Sequence, residues 1–161
     1  MEQNLEPQSS GRPLGRLLEL ALVLIGAFMN TLIVVIFAAQ QAAFPGGTAL
    51  ENLFPFPLLY FIEIIALSFL AVLSLISAES EGNHPSRAPA LIWIAAGALL
   101  AFVILGGFSI GFYLIPGMLA FIAAAILADR RQNIGIVAHF GIFFLTAIAQ
   151  AAILLLMVAW F

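Results

Sequence analysis

The sequence predicts an all-α, polytopic integral membrane protein: a bundle of five transmembrane helices with its N-terminus in the cytoplasm. Three observations predict this fold class, namely an apolar composition, hydrophobic blocks long enough to cross a bilayer, and arginines that fall on one side of them. We expect residues 1–11 to form a disordered tail and residues 12–161 a single transmembrane domain. The predicted helices cover about 17–40, 56–78, 89–107, 111–128 and 134–160.

The composition excludes an ordinary water-soluble domain. Of the 161 residues, 64% are hydrophobic and 8% are charged, and the mean hydropathy is +1.18. Soluble domains average about 45–50% apolar and about 25% charged residues. The absence of Cys excludes disulfides, thiolate metal sites and cysteine nucleophiles. A net charge of −3, with only five basic residues, argues against a nucleic-acid partner and leaves the lipid bilayer as the expected environment.

Four hydrophobic blocks supply the five helices. Three of them match the length of about 20 residues that one span requires. The block 88–128 contains 41 residues and would extend about 60 Å as a single helix, twice the hydrocarbon thickness. Its centre reads Gly-Gly-Phe-Ser-Ile-Gly over 106–111 and is followed by Pro116. We therefore predict a helical hairpin whose tight turn uses glycine at positions with φ > 0. Pro116 is expected in about the first turn of the fourth helix.

The arginines test the count of five spans. Arg12 and Arg16 precede the first span, Arg87 lies between the second and third, and Arg130 and Arg131 lie between the fourth and fifth. With five spans all of them share one side, which the positive-inside rule makes the cytoplasm. With four spans the bias would fall to three against two. Five spans are therefore the stronger interpretation.

The connecting segments are predicted to anchor the bundle rather than to carry chemistry. The outer loop 43–57 contains three prolines and three phenylalanines and is expected to lie at the membrane interface, with a substrate lid as the alternative. His84, in the inner loop, is expected to be a solvated loop residue. Asp129, Arg130 and Arg131 are expected to form an anchor at the membrane border.

The glycine turn followed by Pro116 resembles the hairpins of short bacterial multi-pass proteins. The resemblance covers about twelve residues and implies no activity. We expect the chain to lie in a bacterial inner membrane.

Polar side chains within the spans are the candidate functional residues, because ionisable groups are costly in hydrocarbon. Helical spacing places them on one face of each of three helices. The faces comprise Glu19, Gly26, Asn30, Phe37 and Gln41 in the first span, Tyr60, Glu63, Leu67, Ala71 and Ser74 in the second, and Gly135, His139, Thr146 and Gln150 in the fifth.

The depths of these residues suggest a polar layer in the outer half of the bilayer. At about 1.5 Å per residue, Asn30, Glu63 and Gln150 fall roughly 3–6 Å outward of the centre, and Tyr60 lies further out. The candidate layer, able to hold a proton or a ligand, consists of Glu63, Asn30, Gln150, Tyr60, Tyr113 and Thr146.

Glu63 is the most informative member of this layer. A carboxyl group in hydrocarbon is expected to be protonated or to accept hydrogen bonds from its neighbours. Asn30 and Gln150 are the expected partners. If Glu63 only accepts hydrogen bonds from their amide groups, its role is structural. A Glu63 that exchanges protons or binds a cation is the competing interpretation.

His139 lies about 10 Å to the cytoplasmic side of the bilayer centre. It is expected first of all to be a hydrogen-bonded core residue. Imidazole can also bind the metal of a haem or of a chlorophyll-type pigment, so His139 is the candidate for a cofactor ligand. A haem held by two histidines would need a second intramembrane His, and the spans contain none. No cofactor is otherwise expected, and no metal site.

The sequence carries no zinc-binding histidine pair and no nucleophile elbow, which argues against a catalytic function. The first hypothesis is a small non-catalytic subunit or scaffold that packs against other membrane subunits or against copies of itself. The second is a small ion-coupled transporter or channel in which Glu63 binds the proton. The third is a pigment- or haem-binding subunit that uses His139.

Overall fold

The computed structural model describes residues 12–43, 56–77, 87–107, 109–133 and 135–160. Over these residues the chain is helical apart from short turns, and it contains no strand. All five helices are long and apolar enough to cross a membrane, which confirms the predicted five-helix class. The helices are α1 (Arg12–Ala42), α2 (Phe56–Ser77), α3 (Ala88–Leu105), α4 (Gly111–Gln132) and α5 (Ile136–Trp160).

Two helices are longer than predicted, because hydrophobicity marks the membrane-embedded part of a helix and not its end. Helix α1 begins at Arg12 rather than near residue 17, and α4 ends at Gln132 rather than near residue 128. Asn133 ends α4 in the left-handed conformation, at φ 55° and ψ 33°, as Asn often does at this position. Arg130 and Arg131 occupy the last turn, where positive charge stabilises the helix dipole.

The predicted glycine turn joins α3 to α4. The backbone N–H groups of Ser109 and Gly111 both donate to the carbonyl oxygen of Gly106, each at 2.8 Å. The reason for glycine differs from the predicted one, because none of Gly106, Gly107 and Gly111 has a positive φ. A Cβ on Gly111 would instead lie 2.5 Å from the carbonyl carbon of Gly106. Close approach of the backbone therefore requires glycine here.

Pro116 is not in the first turn of α4 as predicted. The helix begins directly at Gly111, so Pro116 is its sixth residue and lies inside the helix. The helix begins where it was predicted to begin, and five residues of it precede Pro116, which places the proline in the second turn.

Helix α3 is the centre of the bundle. It packs against α2, α4 and α5, while α1 closes a ring by packing against α2 and α4. Helix α5 lies outside this ring, mainly on α3. The largest side chains with no exposed surface include Trp93 and Phe102 of α3 and Phe121 of α4.

The outward surfaces are apolar. Large side chains such as Phe28 on α1, Phe69 on α2 and Leu145 on α5 are 66%, 61% and 69% exposed. Because water would solvate such surfaces poorly, the five apolar helices indicate a multi-pass membrane protein.

Side-chain contacts identify the two ends of the bundle. Ion pairing of Glu19 with Arg131, and a hydrogen bond from Trp93 to Asp129, bring the starts of α1 and α3 to the end of α4. We call this the arginine end, because it carries Arg16, Arg87, Arg130 and Arg131. The opposite end, called the turn end, carries the turn 106–110 and the residues Gln41, Pro57 and Val158.

The predicted tail 1–11, His84 and the inner-loop residues 78–86 lie outside the described residues, as do outer-loop residues 44–55.

Candidate functional site

Glu63 and Gln150 meet between α2 and α5. The Nε2 amide of Gln150 donates a hydrogen bond to Glu63 Oε1 at 2.5 Å. Gln150 is 8% exposed, and Glu63 is half-buried. The structure thus brings together one of the two predicted partners of Glu63.

Asn30, the other predicted partner, lies elsewhere. Its Nδ2 amide donates to Ser68 Oγ at 3.3 Å, and Ser68 Oγ donates to the carbonyl oxygen of Ile64 at 2.9 Å. Asn30 Oδ1 has no hydrogen-bond partner and packs against the backbone of Gly117, where a Cβ would overlap it. Asn30 therefore joins α1 to α2 and α4 and does not contact Glu63.

The other members of the predicted layer are separated as well. The ring of Tyr113 is stacked obliquely on Phe37, with centroids 5.5 Å apart, and Tyr113 is 56% exposed. Thr146 Oγ1 donates to the carbonyl of Ile142 in its own helix at 2.8 Å. Tyr60 lies about one helical turn outward of Glu63 on the same helix, and its ring packs against Phe102.

A cavity of about 320 Å³ opens at the turn end, and neither Glu63 nor Gln150 is among the residues that line it. Tyr60 forms part of its wall and is itself packed edge-on against Phe102, with centroids 5.1 Å apart. Val158 lines the cavity from α5, two helical turns outward of Gln150 on the same face. The cavity therefore lies among the turn-end parts of α1, α2 and α5 and the turn between α3 and α4. Its walls include Phe37, Gln41, Tyr60, Phe61, Ser109 and Val158.

A second polar cluster, at the arginine end, surrounds Asp129. This carboxylate has no exposed surface. Its Oδ2 accepts a hydrogen bond from Trp93 Nε1 at 2.8 Å, and its Oδ1 lies 2.7 Å from His139 Nδ1. Asp129 thus connects α3, α4 and α5, a role in helix packing that the expected place at the membrane border did not include. The acidic residue and the intramembrane His are ten positions apart, and this spacing alone does not reveal that they meet.

Glu19 forms the third polar contact. Arg131 binds it through two nitrogens, with Nε 2.9 Å from Oε1 and Nη2 3.0 Å from Oε2. Glu19 is 1% exposed. Arg131 therefore holds α4 to α1 in addition to its expected place at the membrane border, while its neighbour Arg130 is exposed.

The arrangement offers no closed metal site in the described part of the chain, where no group of three His, Asp or Glu residues could hold an ion. His139 is 13% exposed and has its Nδ1 against Asp129, which fits the expected hydrogen-bonded core residue. Comparison with known proteins finds no match among family models, curated proteins or solved structures.

Proposed function

We propose that this chain is a small non-catalytic multi-pass membrane protein that serves as a subunit or scaffold of a larger membrane complex. The observation that supports it best is the use of the buried polar groups. Glu19 is paired with Arg131, Asp129 with Trp93 and His139, and Asn30 with Ser68. Such contacts fix neighbouring helices and occupy the groups that chemistry would otherwise need.

Helix α5 is the expected contact surface for a partner. It packs mainly on α3, outside the ring of the other four helices, and has the smallest buried share of the five spans, 17% against 22–61%. Its outward face carries Leu145 and Ile148, which are 69% and 67% exposed. A flat apolar helix face of this kind suits packing against another membrane helix.

Purification of the full chain in a mild detergent, with native mass measurement, tests this proposal. We expect a stoichiometric assembly with a second subunit or a second copy, larger than the 17.2 kDa chain alone. Leu145→Trp should weaken the assembly, whereas Leu17→Trp, at a similarly exposed position of α1, should leave it intact. A chain that stays monomeric, or an assembly indifferent to Leu145→Trp, contradicts the proposal.

A second candidate function, proton-coupled transport or conduction through Glu63, is favoured by the partner of this carboxyl: it is half-buried within a span and bonded to the neutral amide of Gln150 rather than to a cationic side chain. Glu63→Gln keeps the size of the side chain and its contact with Gln150 but removes the titration. Reconstituted vesicles should then lose proton flux in Glu63→Gln and retain it in Ser109→Ala, a cavity residue without charge. Wild-type vesicles that are tight to protons eliminate this candidate.

The third hypothesis, a pigment or haem on His139, is decided by the absorption spectrum of the same purified protein. A visible band that disappears in His139→Leu would support it. A colourless preparation from the native membrane would contradict it.

A further inference from the structure

We propose that the crevice between α2 and α5 receives a transmembrane helix of a different subunit, and that a basic residue near the middle of that helix pairs with the Glu63 carboxyl. The inference rests on the proposed subunit role and specifies the partner. That partner is a membrane span of another sequence, which carries an Arg or Lys within the hydrocarbon.

The crevice is a gap in the packing of the bundle. Helices α2 and α5 both pack on α3 but make almost no direct contact with each other. Among the described residues, the hydrogen bond from Gln150 to Glu63 is the one polar contact that joins them. Two helices that lie on a third without touching leave a groove between them in which a further helix can pack.

Glu63 lies on the edge of α2 that faces out of the bundle. The carboxyl is half-buried, whereas the next residue, Ile64, has no exposed surface. Leu59, Ala66 and Leu70 are all exposed, and their spacing from Glu63 places them within about 60° of it around the helix. A side chain of a helix seated in the crevice can therefore reach the carboxyl.

The charge of Glu63 is not balanced within the chain. Glu19, the acidic residue of α1, is paired with Arg131. Glu63 instead accepts a hydrogen bond from the neutral amide of Gln150 at Oε1, and its Oε2 has no hydrogen-bond partner in the described part of the chain. Ionisable groups within a membrane usually pair with one another, so this carboxyl indicates a basic group on a neighbouring molecule.

A second copy of this chain does not supply that basic group. All five arginines belong to the arginine end, at positions 12, 16, 87, 130 and 131, and the chain contains no Lys. Glu63 lies 14 residues, about 21 Å, from the arginine-end terminus of α2 at Ser77. A copy in the same membrane orientation would present its arginines at that distant end. The cation must therefore come from a chain of different sequence.

Association of the full chain with synthetic transmembrane peptides in phospholipid vesicles tests the inference. The probe is a Leu–Ala helix of about 20 residues with one central Arg and a terminal dansyl group, which receives energy from the tryptophans of the protein. The comparison peptide has Leu at the central position. We expect saturable energy transfer to the Arg peptide. Association should be at least about tenfold weaker for the Leu peptide, and also for the Arg peptide with Glu63→Gln.

Two further variants test the place of binding. Ala66→Phe should fill the crevice beside Glu63 and weaken association with the Arg peptide. Ala21→Phe makes the same change at an exposed position of α1 and should associate as the wild type does. If Glu63→Gln fails to fold, this pair and the two peptides decide the question.

Equal association of the Arg and Leu peptides, or of the wild type and Glu63→Gln with the Arg peptide, would overturn the inference. Unchanged association in Ala66→Phe would do the same, as would self-association of the chain that is lost in Glu63→Gln, because a second copy would then occupy the crevice. A failed peptide titration leaves the assembly seen by native mass measurement in place. A chain that purifies as a monomer leaves the titration unchanged, so failure of this inference and failure of the subunit role are distinguishable.

Discussion

At the scale of single residues, three carboxyl groups, two of them buried and one half-buried, organise the protein. Glu19, Glu63 and Asp129 each accept at least one hydrogen bond from another helix. A carboxylate in a low-dielectric interior is tolerated when it is paired in this way. Each acid therefore defines which two or three helices must be neighbours.

Loss of the Asp129 carboxyl should destabilise the bundle. In Asp129→Ala, the indole N–H of Trp93 and the ring of His139 lose their shared partner in a fully buried place. We expect a cost of about 1–3 kcal/mol, the penalty for an unsatisfied buried polar group. Thermal unfolding in detergent, followed by tryptophan fluorescence and circular dichroism, measures it.

The control for the Asp129→Ala variant is Arg130→Ala, at the neighbouring exposed position of the same helix. This variant should differ from the wild type by less than about 0.5 kcal/mol. Equal stability of the two variants would mean that the Asp129 contacts contribute nothing.

Periodicity placed several polar residues correctly but did not identify their partners. The spacing of Glu19, Gly26 and Asn30 predicted a protein-facing stripe, and all three are buried. The pairing of Asp129 with Trp93 and His139 depends on how three helices are rotated and staggered against each other. Those quantities are set by non-local packing, which a single sequence does not express.

At the scale of the helix, glycine controls how closely neighbours approach. Gly97 of α3 lies against the backbone oxygen of Phe143 in α5, and a Cβ there would overlap that oxygen. Gly26 of α1 similarly faces Phe121 and the carbonyl of Gly117, with a Cβ 2.7–3.0 Å away from them. Small residues at crossings are the means by which membrane helices gain packing contacts.

Gly97→Ala should separate α3 from α5 and destabilise the protein by about 1–3 kcal/mol, because a backbone carbonyl cannot rotate away as a side chain can. Gly141→Ala, on α5 with no atom within 4 Å of its added Cβ, is the matched control. It should be neutral or slightly stabilising, since Ala favours the helix more than Gly does. The midpoints of thermal unfolding compare the two variants. A Gly97→Ala protein as stable as Gly141→Ala would refute the close approach.

The glycines in the turn between α3 and α4 should differ in how well they tolerate substitution. A Cβ on Gly111 meets backbone atoms of Gly106 and Phe102 at 2.5 Å, whereas one on Gly107 is 3.3 Å from the nearest atom. Gly111→Ala should therefore lower the yield of folded protein and its resistance to proteolysis far more than Gly107→Ala. Equal tolerance of both would show that the turn is more open than these Cβ distances indicate.

At the scale of the whole molecule, the number of helices and the approximate extents of the spans were predictable. Length and hydropathy are local properties, and the 41-residue block could only be accommodated as a hairpin. The central position of α3 and the outlying position of α5 were not predictable, because all five helices are similarly apolar. The contacts within the predicted six-residue polar layer were not predictable for the same reason, because matching depths do not specify which faces meet.

The orientation of the bundle in the membrane stays a prediction, and reporter fusions test it. A reporter fused after Gln132 should lie in the cytoplasm, and one fused after Trp160 should lie outside, because α5 separates the two positions. A reporter after Ser109 should also be external. An external signal at Gln132 would reverse the assignment that rests on the arginines.

The Asp129 contacts also have a consequence for biogenesis. Ribosomes deliver helices in chain order, so α3 and α4 enter the membrane before α5 exists. Until then Asp129 has Trp93 as a donor but not His139, and the Gly97 surface of α3 faces lipid. A chain interrupted before Ile136 thus leaves a carboxylate half-satisfied and the central helix uncovered. Insertion of α5 removes both defects at once, so this step distinguishes the packed five-helix bundle from a chain interrupted before Ile136.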